Sequence, residues 1–189
     1  VTVRIVVTGA ESTGKTTLAL ALGRVLGAPV LEEQARVYAE QRAAEHEQRA
    51  TSNGTAAAEL TADDVEPIAR RTIAAEDSLL VARCSLLVSD TDLLSTIVYS
   101  RFYYGACPSW IETEARQRLG DRYLVCDIDL PWEADGIRDM PERREELAAA
   151  FDAVLAEFGA PVRRIRGVGE ARLAAAREAI ADLVPGSAS

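Results

Sequence analysis

The stretch that most limits what this chain can fold into runs from Val3 to Thr17, Val-Arg-Ile-Val-Val-Thr-Gly-Ala-Glu-Ser-Thr-Gly-Lys-Thr-Thr. A run rich in β-branched residues predicts a strand buried on both faces. It leads through Gly-x-x-x-x-Gly-Lys-Thr into a segment with helical apolar spacing. Gly9 and Gly14 let the backbone curl so that successive N–H groups from Ser12 to Thr16 converge on one point, with the positive end of a helix dipole behind them. That arrangement is a cradle for phosphate. Glu11, Ser12, Thr13 and Thr17 complete the loop, Lys15 is placed to reach the β- and γ-phosphates of a nucleotide, and the Thr16 hydroxyl is placed to hold Mg²⁺. Lys15 is the only lysine in the chain, every other basic side chain bar His46 being arginine. Lysine stands where a compact point charge is needed.

Downstream, the apolar pattern alternates between short strands and longer helices. After the helix from Lys15 to Leu26, Ala28 to Leu31 predicts a second strand, followed by Glu32 and Glu33 and a helix from Gln34 to about Glu45. Residues 47 to 58 lose periodicity and read as a loop. Thr61 and Asp64 have the spacing of a capping box, opening a helix that runs to about Ala82. Cys84 to Asp90 predicts a third strand ending on an aspartate. Helices follow over Thr91 to Phe102 and Ser109 to Leu119, then a strand over Arg122 to Ile128. The proline-bracketed segment from about 130 to 141 reads as a lid. A helix over Glu142 to Phe158, a strand over Val162 to Ile165 and a helix over Glu170 to Val184 close the order, leaving 185–189 as a disordered tail. Five apolar strands alternating with helices predict one α/β domain over 1–184, a three-layer fold with a five-stranded parallel sheet and helices on both faces.

Composition excludes several classes. With 21 Lys and Arg against 30 Asp and Glu, the net charge of −9 argues against nucleic acid as a partner. Three cysteines without C-x-x-C spacing give neither a disulfide framework nor a zinc site, and no apolar run is long enough to span a membrane. These features predict a reducing, cytoplasmic setting and a small anionic ligand held locally.

A phosphoryl-transfer site needs a cradle, a metal, a carboxylate at the acceptor and positive charge over the transferring group. Asp90, at a strand tip, is the candidate to hold Mg²⁺ with Thr16; its alternative is to cap the helix starting at Thr91. Asp92 is a reserve metal residue or an acceptor contact. Glu33 is placed to take or fix the acceptor's proton, or else is an ordinary first-turn acid. Arg138 in the lid is placed to meet the γ-phosphate. Arg143 and Arg144 read as a solvated charge run paired with Glu142, Glu145 and Glu146. The tyrosines 99, 103 and 104 and both tryptophans read as packing.

Together, the loop from Gly9 to Thr17, Glu33-Gln-Ala-Arg36, Ser89-Asp-Thr-Asp92 and Pro131-Trp-Glu-Ala-Asp-Gly-Ile-Arg-Asp139 resemble the nicotinamide riboside kinase domain of the NadR family. The resemblance implies a P-loop kinase fold, ATP and Mg²⁺ as cofactors, and a small-molecule nucleoside, nicotinamide riboside, phosphorylated at its ribose 5′-hydroxyl. It implies catalytic roles for Lys15, Glu33, Asp90 and Arg138, and acceptor contacts for Glu33, Arg36, Asp92, Trp132 and Asp135. Two positions depart from the family pattern on the acceptor side: Leu31, where some members have an aromatic, and Thr72, where the family has Gln. Another nucleoside as acceptor, or a nucleotide-binding module without turnover, are the alternatives.

Overall fold

The computed structural model describes residues 2–49, 60–82, 84–132 and 141–184. The segment 50–59, which takes in residues 50–58 of the predicted loop, lies outside them, as do Glu133 to Met140 of the predicted lid and the tail.

Five parallel strands form one sheet: β1 (Val3–Thr8), β2 (Val30–Leu31), β3 (Leu86–Asp90), β4 (Arg122–Cys126) and β5 (Val162–Ile165), in the order β2-β3-β1-β4-β5. The helices are α1 (Lys15–Leu26), α2 (Gln34–Arg49), α3 (Val65–Val81), α4 (Leu93–Tyr104), α5 (Ser109–Gln117), α6 (Arg144–Glu157) and α7 (Gly169–Ala179). They cover both faces of the sheet. Strand side chains alternate sides, so Ile5 and Val7 of β1 pack with Leu18 and Leu22 of α1 and Ala176 of α7. Val6, from the same strand, faces Ile97 of α4, Ile111 of α5 and Phe151 of α6.

Several boundaries shift for identifiable reasons. Residues 47–49, predicted as loop, continue α2. The capping box at Thr61 and Asp64 forms as predicted, but its first turn is a 3₁₀ turn, Ala62–Asp64, and Asp64 also binds Tyr38 Oη at 2.9 Å and Arg42. These bonds outweigh the cost of burial and hold the Asp64 carboxyl below its ordinary pKa. β5 is not apolar throughout: Arg163 and Arg164 are exposed on the sheet's edge, where charge blocks pairing with another chain. Among the described residues no helix is long and apolar enough to cross a membrane.

Candidate active site

The site forms where β1 and β3, paired with Val7 opposite Asp90, release their chains at the same edge. Strand ends beside the reversal of strand order are where a parallel sheet opens a crevice. Gly9 leaves β1 at φ 132°, and a Cβ there would lie 2.7 Å from the Cys126 carbonyl oxygen of β4. Only glycine fits that approach. Ser12 (φ 54°) and Gly14 (φ 73°) turn the loop so that α1 begins at Lys15 with no side-chain cap and no acid in its first turn. Its N-terminal N–H groups are thereby left to an anion.

The loop's carbonyls from Ala10 to Thr13 are each held. Ala10 O accepts from Thr13 Oγ1 at 2.8 Å and Lys15 Nζ at 2.7 Å. Glu11 O and Ser12 O accept from Arg144 Nε and Nη2 at 3.1 and 2.8 Å. Thr13 O accepts from Arg172. The Glu11 carboxylate is buried and accepts from Tyr103 Oη of α4 at 3.0 Å. Glu11 and Thr13 thus turn their side chains inward. Thr17 is exposed on the first turn of α1.

Asp90 is buried at the tip of β3, and its Oδ2 accepts from the Thr16 hydroxyl at 2.6 Å. It does not cap α4: that role falls to Asp92, whose Oδ1 accepts from the Leu94 amide at 3.0 Å. Asp90 Oδ1 is buried with no hydrogen-bond partner among the described residues. Burial, with the nearby Glu33 carboxylate, raises the Asp90 pKa to about 6 against the pull of Thr16, Lys15 and Arg36. A buried carboxylate oxygen with no donor, beside a hydroxyl at a strand tip, fits a hard divalent cation, whose charge would offset this cost. Asp90 and Thr16 are therefore the residues that could hold Mg²⁺; no cluster of three or more His, Cys, Asp or Glu ligands exists among the described residues.

Leu31 of β2 pairs with Ser89 of β3, which brings Glu33, two residues on, to Asp90. Its carboxylate lies 3.7 Å from Arg36 Nε. Glu33 lines two cavities. One has walls from Glu33, Ile68, Asp92, Tyr99, Tyr103 and Tyr104. The other is bounded by Thr16, Val30, Glu33, Arg36 and Asp90. The tyrosines of α4 do more than fill the core: Tyr99 and Tyr103 stack in parallel, 6.1 Å between centroids, on the first cavity's wall. Asp92 also lines that cavity, yet its Oδ2 accepts from Tyr123 Oη at 2.6 Å, so both carboxylate oxygens have protein partners. Burial raises its pKa to about 6. Leu31 is buried and Thr72 borders the cavity with its hydroxyl donated to Ile68 O at 3.0 Å. Trp132 is half-buried, while Asp135 and Arg138 lie outside the described residues.

Arg144 overturns its reading as a solvated charge. It is half-buried with its fork on the phosphate loop and Nη1 on Leu130 O at 2.9 Å, and burial lowers its pKa. Its neighbour Arg143 keeps the surface role, paired with Glu146 at 2.9 Å and stacked on Phe102. Arg172 was missed altogether. The signal was available: Arg172 falls on the α7 stripe that continues through Ala176 and Ile180, a cation where the pattern calls for an apolar residue.

Comparison with solved structures finds NadR protein in complex with NR at 26% identity and TM-score 0.71, covering 97% of this chain and 52% of that one. NadR protein in complex with NAD and AMP-PNP matches at 24% identity and TM-score 0.68, covering 97% and 49%. The chain thus spans about half the length of the NadR structures it matches. Thymidylate kinase from Ehrlichia chaffeensis (15% identity, TM-score 0.60, 89% and 88% covered) and deoxyadenosine kinase from M. mycoides (11%, 0.61, 95% and 100%) share the fold. No curated protein sequence matches. A family model described as an AAA domain matches residues 4–172, spanning the phosphate loop, the Asp90 strand and Arg172, and the chain belongs to that P-loop family.

Proposed function

We propose that the protein is an ATP- and Mg²⁺-dependent kinase that phosphorylates the ribose 5′-hydroxyl of nicotinamide riboside to give nicotinamide mononucleotide. The observation that carries this reading is the position of Glu33. It stands on the wall common to the tyrosine-lined cavity and to the cavity holding Thr16 and Asp90, so an acceptor hydroxyl at Glu33 would face a γ-phosphate at Lys15. The match to a NadR structure holding NR and the motif resemblance support the choice of acceptor.

In this mechanism the amides of residues 12–16 and the α1 N-terminus bind the donor's phosphates, and Lys15 neutralises charge on the β- and γ-groups. Thr16 and Asp90 would hold Mg²⁺, which would supply stabilisation of the negative charge on the transferring phosphate. Glu33 accepts the hydrogen bond from the acceptor hydroxyl, orients its lone pair toward the γ-phosphorus and receives its proton as the new O–P bond forms and the bond from that phosphorus to the β–γ bridging oxygen breaks, so that ADP leaves. Tyr99, Tyr103 and Tyr104 offer aromatic surface for the acceptor's ring, the carboxylates of Glu33 and Asp92 favour a neutral or cationic nucleoside, and Arg36 and Trp132 complete the acceptor side. Arg138 takes its proposed role over the γ-phosphate from its place in the lid sequence and from the motif resemblance, and Asp135 takes its acceptor contact from the motif resemblance.

The test is ADP release from Mg²⁺-ATP with a panel of nucleosides. Nicotinamide riboside should give the highest kcat/KM. A higher value with another nucleoside would reassign the acceptor, and no stimulation by any of them would overturn the kinase reading.

A further inference from the structure

The phosphate loop is braced from outside by two arginines that belong to distant parts of the chain. Its inner face offers N–H groups. Its outer face presents the carbonyls of Glu11, Ser12 and Thr13, and Arg144 takes the first two while Arg172 takes the third. A peptide plane held by its carbonyl also has its N–H direction fixed, so anchoring successive carbonyls sets the aim of the amides of Ser12, Thr13 and Gly14.

Both arginines are anchored at their far ends. Arg144 Nη1 donates to Leu130 O at 2.9 Å. Arg172 is 4% exposed, donates Nε to Gly167 O at 2.7 Å, and pairs with Asp129, whose other oxygen accepts from the Gly167 amide at 2.7 Å. These bonds hold the Asp129 carboxyl below its ordinary pKa despite the cost of burial. The brace fits closely, since a Cβ on Gly14 would sit 3.0 Å from Leu130 Cδ1 and 3.5 Å from Arg172 Nη1. Ser12, a non-glycine residue at φ 54°, gives the brace a purpose: without outside support a loop with such a residue relaxes toward ordinary backbone angles.

We propose that Arg144 and Arg172 are positioning residues that pre-aim the phosphate-binding amides by gripping the loop's carbonyls from behind, so that the cradle is formed before the donor arrives. The inference extends the nucleotide-binding reading. Arginine is suited to the task because its rigid fork spans two adjacent carbonyls, as Nε and Nη2 of Arg144 do; a lysine ammonium is a single point donor. Preorganised donors cost no reorganisation on binding, which is where the gain in affinity arises.

Two measurements on Arg144→Ala and Arg144→Lys test this, with Arg172→Gln as a second site. The first is amide hydrogen exchange of the ligand-free protein. In Arg144→Ala, exchange in peptides covering residues 9–17 should quicken by about tenfold or more, while peptides from β3 and β4 keep wild-type rates. Unchanged exchange in the loop, or a uniform increase across the sheet, would overturn the proposal. The second is binding of a fluorescent ADP analogue with Mg²⁺, for which Arg144→Ala should weaken affinity about ten- to a hundredfold. Arg144→Lys should stay several-fold weaker than wild type, and full recovery would overturn the fork's role. Lost affinity with loop exchange unchanged would make Arg144 a direct ligand contact and overturn positioning. A wild-type protein that binds no nucleotide would defeat the functional reading, while the exchange experiment, which uses no ligand, would still decide the brace.

Discussion

Asp90→Asn should make the free protein more stable and the enzyme inactive. The carboxylate is 3% exposed, its Oδ1 has no partner among the described residues, and burial together with Glu33 lifts its pKa from an ordinary 3.8 to about 6. Because the folded value is above the unfolded one, this group's contribution to stability is fully present below about pH 4 and lost as pH rises through about 6. The difference corresponds to about 3 kcal/mol at pH 8, falling to about 1 kcal/mol at pH 4.5. Asparagine keeps an oxygen for the Thr16 hydroxyl and removes the charge, so it should recover about 1–3 kcal/mol at pH 8, or a melting temperature higher by about 2–12 °C for a chain of this size. The assay is thermal unfolding in EDTA at pH 8 and pH 4.5, alongside Mg²⁺-dependent turnover. Turnover should fall at least about a hundredfold, through loss of a charged metal ligand. A variant no more stable than wild type at pH 8, or equally stabilised at both pH values, would refute the argument that burial of this charge is the cost the metal offsets.

The same protonation gives a metal dependence: below about pH 6 protons compete for Asp90, so the half-saturating Mg²⁺ concentration should climb by up to about tenfold per pH unit, read from turnover at several Mg²⁺ levels. Glu33→Gln should cut kcat by about a hundredfold or more while donor affinity stays within about twofold, measured by coupled ADP release and nucleotide titration. Gly9→Ala, forced to φ 132° with its Cβ against Cys126 O, should cost about 2 kcal/mol or more in urea unfolding. Asp92→Ala removes the α4 cap and leaves the Tyr123 hydroxyl proton without its acceptor, so it should cost about 2–4 kcal/mol in urea unfolding; adding Tyr123→Phe should return little of this, because the buried Gly120 amide then loses the hydroxyl it donates to.

What the sequence made legible was local. The helix Lys15–Leu26 and the strand Val162–Ile165 fall where spacing predicted them, because glycines at 14 and 27 bound the helix and Val162 and Ile165 bracket a short strand after Pro161. The capping box at Thr61 and Asp64 was readable for the same reason. The α4 cap was not: the spacing offers Asp90 before a helix from Thr91, whereas α4 starts at Leu93, so Asp92 caps it and Asp90, opposite Val7 of β1, stays at the strand tip. The pairing of Glu33 with Asp90 depends on β2 lying beside β3, a fact about strand order that no local pattern carries. Arg144 was misread because a charge run looks the same whether its partners are neighbours or, as here, backbone carbonyls 132 and 133 residues away. The tyrosines of α4 read as packing in the sequence because an aromatic on a helix says nothing about whether its outer face borders a core or a cavity.

The most direct measurement of the central claim is a ³¹P spectrum of the products formed from Mg²⁺-ATP and nicotinamide riboside. The account predicts ADP and one phosphate monoester whose phosphorus couples to the ribose 5′-methylene protons, absent with Asp90→Asn. ADP accompanied only by inorganic phosphate, or a spectrum in which ATP is unchanged, would contradict it.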